Sequence, residues 1–74
     1  MTDTTRSDMY AMGLNLGANR ATAKCWGTAA QYAEACQATA RAERLALALG
    51  ADASRALHLA SRRGFRRMLD LYSA

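Results

Sequence analysis

The sequence predicts an all-α fold, a small antiparallel bundle of about three helices. Three observations point there: proline, valine and isoleucine are absent, alanine is the commonest residue, and glycines with cap-forming neighbours divide the chain into helix-length stretches. Alanine is the strongest helix former, and the missing β-branched residues are those that sheets favour. With 74 residues the chain holds one domain, and a domain this small buries only roughly 60% of the surface its unfolded chain exposes. A thin core is therefore expected, stabilised by regular helix packing or by a second copy of the chain, so homodimerisation is one way to complete the bundle.

The first five residues are expected to be a flexible N-terminus, and 6–74 a single helical domain with helices of about 6–17 or 6–26, 28–49 and 53–72. Thr5, Ser7 and Asp8 offer N-cap chemistry ahead of Met9, Met12 and Leu16, which starts the first helix near residue 6. Its end has two candidates. Gly17 followed by Asn19 is one; Gly27 is the other, because Thr28-Ala-Ala-Gln31 has capping-box spacing and would start a new helix at once. A bend or break between Gly17 and Thr28 is expected. Gly13 and Gly17 also have the spacing that lets two helices approach closely, and that pair is assigned to packing.

From Thr28 to Leu49 the pattern is helical, and Gly50 is a natural C-terminal cap. This helix carries two apolar stripes. Ala29, Ala33, Cys36, Ala40 and Leu47 continue from Trp26 at spacings of 3 and 4, with Glu43 as the polar interruption, while Ala38, Ala42, Leu45 and Leu49 form a second line. One neighbour cannot cover both, so this helix is expected to lie between two partners and, with the last helix, to frame the bundle. Asp52 or Ser54 caps the last helix, which runs to about Tyr72 with Gly64 as its weak point.

At 100° per residue the last helix separates into two sides. Leu57, Ala60, Gly64, Phe65, Met68, Leu71 and Tyr72 form the core-facing arc, and Arg55, His58, Arg62, Arg63, Arg66 and Arg67 form the other, with Leu59 and Leu69 among them. This arc also holds the net charge. Up to Ser54, Arg6, Arg20, Lys24, Arg41 and Arg44 balance Asp3, Asp8, Glu34, Glu43 and Asp52, so the whole excess of +4 lies in the last twenty residues, where Asp70 is the lone acid. A localised cationic surface attracts acidic partners. Arginine adds a planar fork that meets carboxylates and phosphates at two points, and the neighbouring leucines can add desolvated contact area. Arg55, His58, Leu59, Arg62, Arg63, Arg66, Arg67 and Leu69 are accordingly the candidate partner-binding residues; the plainer reading is a solvated helix face with the leucines covered by neighbouring helices.

Leu45-Ala46 followed by Leu49-Gly50 resembles the Leu-Ala-x-x-Leu-Gly run of repressor-type helix-turn-helix domains, over about six residues. The resemblance implies a DNA-binding regulator with Ser54, Arg55 and His58 reading bases and the later arginines holding phosphates. Downstream it departs, since Ala56 stands where a larger apolar residue is expected and Leu57 and Leu59 fall out of register. A plain helix end capped by glycine is the preferred reading.

The remaining chemistry-bearing residues argue against catalysis. His58 is the sole histidine and has no acid within one helical turn; the carboxylates are scattered singly, and no phosphate-cradling loop is present. No metal site and no cofactor are expected. Cys25 and Cys36 are read as buried free thiols, with contact across a turn at Gly27 as the alternative, and Trp26, Tyr32 and Tyr10 as core or interface aromatics. No signal-peptide core and no membrane-length apolar run occur, so a cytoplasmic, non-membrane protein is expected. The combined expectation is a small non-catalytic inhibitor or adaptor that engages an acidic or nucleic-acid-binding surface of a partner protein. The alternative is a small DNA-binding regulator. Size and composition also fit the short, basic, helical products common among phages and mobile elements.

Overall fold

A computed structural model describes residues 3–74, with side chains from Thr4 onward. It contains three helices, α1 (Asp3–Trp26), α2 (Ala29–Leu49) and α3 (Ala51–Ser73), and no strand among the described residues. The greatest extent, 36 Å, matches the length of a single 24-residue helix at about 1.5 Å per residue, so the helices run side by side. Arg6 meets Asp52 near one end and Thr22 meets Tyr72 near the other, which makes α1 and α3 parallel, with α2 antiparallel to both.

Both connections are very short, and their chemistry is local. Thr28 Oγ1 accepts from the Gln31 backbone N–H at 3.1 Å while Gln31 Oε1 accepts from the Thr28 N–H at 2.9 Å, the reciprocal capping box that fixes where α2 starts. Gly50 alone joins α2 to α3. Its φ of 131° is a conformation side chains resist, which lets the chain reverse in one residue. Gly50 thus occupies the N-cap position expected of Asp52 or Ser54, and no side chain caps α3. Asp52 sits in the first helical turn, where its charge faces Arg6 and Arg55 and complements the helix dipole.

The start of the first helix needs correction, since α1 already includes Asp3 to Thr5; Met1 and Thr2 lie outside the described residues. Of its two candidate ends the one at Gly27 holds, and the helix passes through Gly17 without a break. Gly17 is a packing residue: a Cβ there would run into the Ser61 carbonyl and the Phe65 backbone N–H. Gly13 sits likewise against Leu57 and Ala60, and Gly64 against the Leu14 backbone. These three glycines bring α1 and α3 together at backbone distance, so Gly64 is a contact point and not a weakness.

The frame also differs from expectation. The most extensive interface joins α1 to α3, and α2 touches each of them over a smaller area. Leu57 is the one large side chain that is fully buried, surrounded by Met9, Ala46 and Ala53. On α2 the buried line is Thr39 and Ala46, running between the two apolar stripes, which leaves Leu45, Leu47 and Leu49 at 56%, 67% and 51% exposure. Trp26 is 73% exposed and meets Tyr72 in a T-shaped ring contact, and Leu71 is exposed near the end of α3. Among the described residues no helix is long and apolar enough to cross a membrane.

Candidate interaction surface

Burial of Ala53, Leu57, Ala60 and Gly64 fixes the rotation of α3 about its axis. At 100° per residue, Arg55, Leu59, Arg62 and Arg66 then fall within about 60° of one another on the side facing away from that line. All four are exposed, Leu59 at 46%. Neither α1 nor α2 covers that leucine, contrary to the plainer reading of this face.

The other candidates stand at the margins. Arg63 leans towards α1 and donates from Nη1 to the Tyr10 hydroxyl at 2.8 Å. His58 leans towards α2, where its Nδ1 lies 3.0 Å from Glu43 Oε2, an ion pair when the imidazole is protonated. Glu43, the polar interruption of an α2 stripe, thus supplies the acid that the sequence neighbourhood of His58 lacks. Leu69 is half-buried, and Arg67 is exposed.

Among the described residues, Arg62, Arg66 and Arg67 have neither an ion pair nor a hydrogen bond, and Asp70 pairs with none of them. Arg55 meets Asp52 at 3.7 Å, but both groups are well exposed and Asp52 is shared with Arg6 at 3.9 Å. Such surface pairs are worth at most about 1 kcal/mol, so Arg55 can exchange its partner. Between α3 and α1 lies an open groove of about 570 Å³, to which Arg6 and Tyr10 contribute one wall and Arg55, Leu59 and Arg62 the other. Asp52 also lines it, between Arg6 and Arg55; three guanidinium groups against one carboxylate leave the groove cationic, which suits an acidic segment better than a neutral one.

Arg20 is the residue sequence reasoning missed. It projects from α1 between the other two helices, donating from Nη1 to Thr39 Oγ1 at 3.0 Å and to Ser61 Oγ, and more weakly from Nη2 to the Ser61 carbonyl at 3.5 Å. Its guanidinium lies 5.2 Å from the centre of the Phe65 ring, and Lys24 Nζ lies 5.9 Å from the same centre. The available signal was its place in α1: Arg20 follows Gly13, Leu16 and Gly17 at helical spacing, on the side that faces α3.

The cysteines are free, as expected, but not buried: Cys25 is exposed and Cys36 half-buried. Cys36 neighbours Tyr32, and the hydrogen bond and charge repulsion between them hold the phenol above its usual pKa of 10.0. Among the described residues no three His, Cys, Asp or Glu side chains converge as a metal ligand set would. Leu45 and Leu49 of the helix-turn-helix-like run face solvent, and one residue replaces the three- to four-residue turn of that motif. No family model matches the chain, and no curated protein or solved structure is detectably similar to it.

Proposed function

We propose that this chain is a non-catalytic binding protein, an inhibitor or adaptor whose outward α3 face docks on an acidic surface of a partner protein or on a site where that partner holds nucleic acid. The observation that carries the reading is the unpaired state of Arg62 and Arg66 beside the uncovered Leu59. Unpaired guanidinium groups around an exposed leucine combine long-range attraction with a desolvated anchor, the makeup of an interface hot spot. Arg55 and Arg63 extend this face, and His58, Arg67 and Leu69 border it. A solvated face would place no cost on replacing Leu59.

The test is retention of a partner from nuclease-treated lysate on the immobilised chain, compared with Leu59→Ala and Arg62→Gln. Retention that survives nuclease and falls about tenfold in each variant supports a protein partner. Binding to mixed duplex DNA near physiological salt, with a salt slope that shrinks in Arg62→Gln, supports the DNA-binding regulator instead. Homodimerisation, one way to complete the bundle, has its own readout: at high concentration, sedimentation equilibrium distinguishes the single chain's 8.0 kDa from twice that mass.

A further inference from the structure

A half-buried guanidinium usually faces a carboxylate, but all three hydrogen bonds of Arg20 go to uncharged oxygens. Those contacts orient the fork without neutralising it. They use both Nη1–H groups and one Nη2–H, so Nε–H and the second Nη2–H have no partner among the described residues. The same group lies 5.2 Å from the centre of the Phe65 ring, within cation–π range.

Beside Arg20 opens a cleft of about 450 Å³ between α1 and α3. Arg62 and Arg66, one helical turn apart on α3, line it with Arg20; Phe65 and Leu69 supply apolar surface, and Asp70 is the one acid in its lining. Arg20 and Arg62 also border a neighbouring cleft, where Glu43 is engaged with His58 at 3.0 Å.

We infer that this cleft is an oxyanion site, and that its ligand is a phosphate dianion, either inorganic phosphate or a terminal phosphomonoester. Charge decides between phosphate and carboxylate. Three guanidinium groups against one carboxylate leave a surplus of two positive charges, which a single carboxylate ligand would only half neutralise and a phosphate dianion would match. The donor count agrees: a fork held in place by neutral partners keeps two N–H groups unused and loses little freedom when it takes up an oxyanion. The site needs no macromolecular partner, so it stands or falls apart from the docking face, although Arg62 and Arg66 belong to both.

The experiment is an NMR titration of the ¹⁵N-labelled chain with inorganic phosphate near pH 8, above the second ionisation of a phosphomonoester at about 6, at constant ionic strength. Saturable shifts of the Arg20 Nε–H signal and of the Phe65 and Arg66 amides are expected. Because Arg20 also ties the helices together, the variants are placed on the exposed arginines. Arg62→Gln should weaken binding about tenfold, and Arg67→Gln, which removes the same charge outside the cleft, less than about twofold. A parallel titration with a nucleoside 5′-monophosphate identifies the source: tighter binding than inorganic phosphate assigns a phosphomonoester, and equal or weaker binding assigns free phosphate. Shifts that never saturate with either probe, or equal losses in Arg62→Gln and Arg67→Gln, would overturn the site in favour of general charge screening.

Discussion

α1 and α3 meet through glycines and alanines, whereas α2, with the densest run of leucines in the chain, turns Leu45, Leu47 and Leu49 to solvent. The difference teaches that close approach outweighs side-chain size here. Gly13, Gly17 and Gly64 let two backbones come close enough for many small contacts along their length, while a leucine that remains in water contributes little at about 25 cal/mol per Å² of area actually buried. α2 is attached by Ala46 packed against the Leu57 cluster, by Arg20 bonded to Thr39, and by Glu43 facing His58.

The contrast can be broken most severely at its centre. Leu57→Ala removes the one large, fully buried side chain and should cost about 2–5 kcal/mol, comparable to the whole stability of a domain this size. Urea unfolding followed by circular dichroism should show a chain largely unfolded without added stabiliser. Gly17→Ala tests close approach itself. Alanine favours a helix over glycine by about 1 kcal/mol, yet the added methyl meets the Ser61 carbonyl, so net destabilisation by about 1–3 kcal/mol is expected. A gain in stability would mean that the two helices do not touch there.

Smaller effects are expected on α2. Thr28→Ala removes the capping box and should cost about 1 kcal/mol, with the loss concentrated in hydrogen-exchange protection of the first turn of α2. Leu47→Gln should change stability by no more than about 0.5 kcal/mol, because that side chain already lies in water. A cost near that of Leu57→Ala would show that α2 is covered in solution, as a homodimer would cover it.

The same contrast explains what could be read from sequence. The absence of valine, isoleucine and proline gave the helical class, and Thr28, Gln31 and Gly50 marked both ends of α2 because capping is settled by neighbours within a few residues. Gly17 was ambiguous for the opposite reason. Whether a glycine ends a helix or lets another approach depends on what stands across from it, and Ser61 and Phe65 are more than forty positions away. The α2 stripes misled because a leucine pattern records which faces could be buried, while the glycines of the other two helices determined which were. On α3 the separation into two sides was legible and placed Leu59 among the arginines; Arg20 was not, since a lone arginine in α1 acquires its role only from Thr39, Ser61 and Phe65.

Both α2 and α3 expose paired arginines beside outward leucines, Arg41 and Arg44 near Leu45 and Leu47, Arg62 and Arg66 near Leu59, and only the second pair stands on the tightly held helix and lines the grooves beside it. The decisive measurement is therefore partner retention by two charge-matched double variants, Arg62→Gln/Arg66→Gln and Arg41→Gln/Arg44→Gln. Loss of at least about tenfold in the first, with a change below about twofold in the second, is the predicted result. Equal losses in the two would contradict it, reducing the α3 face to one contributor to a diffuse positive charge.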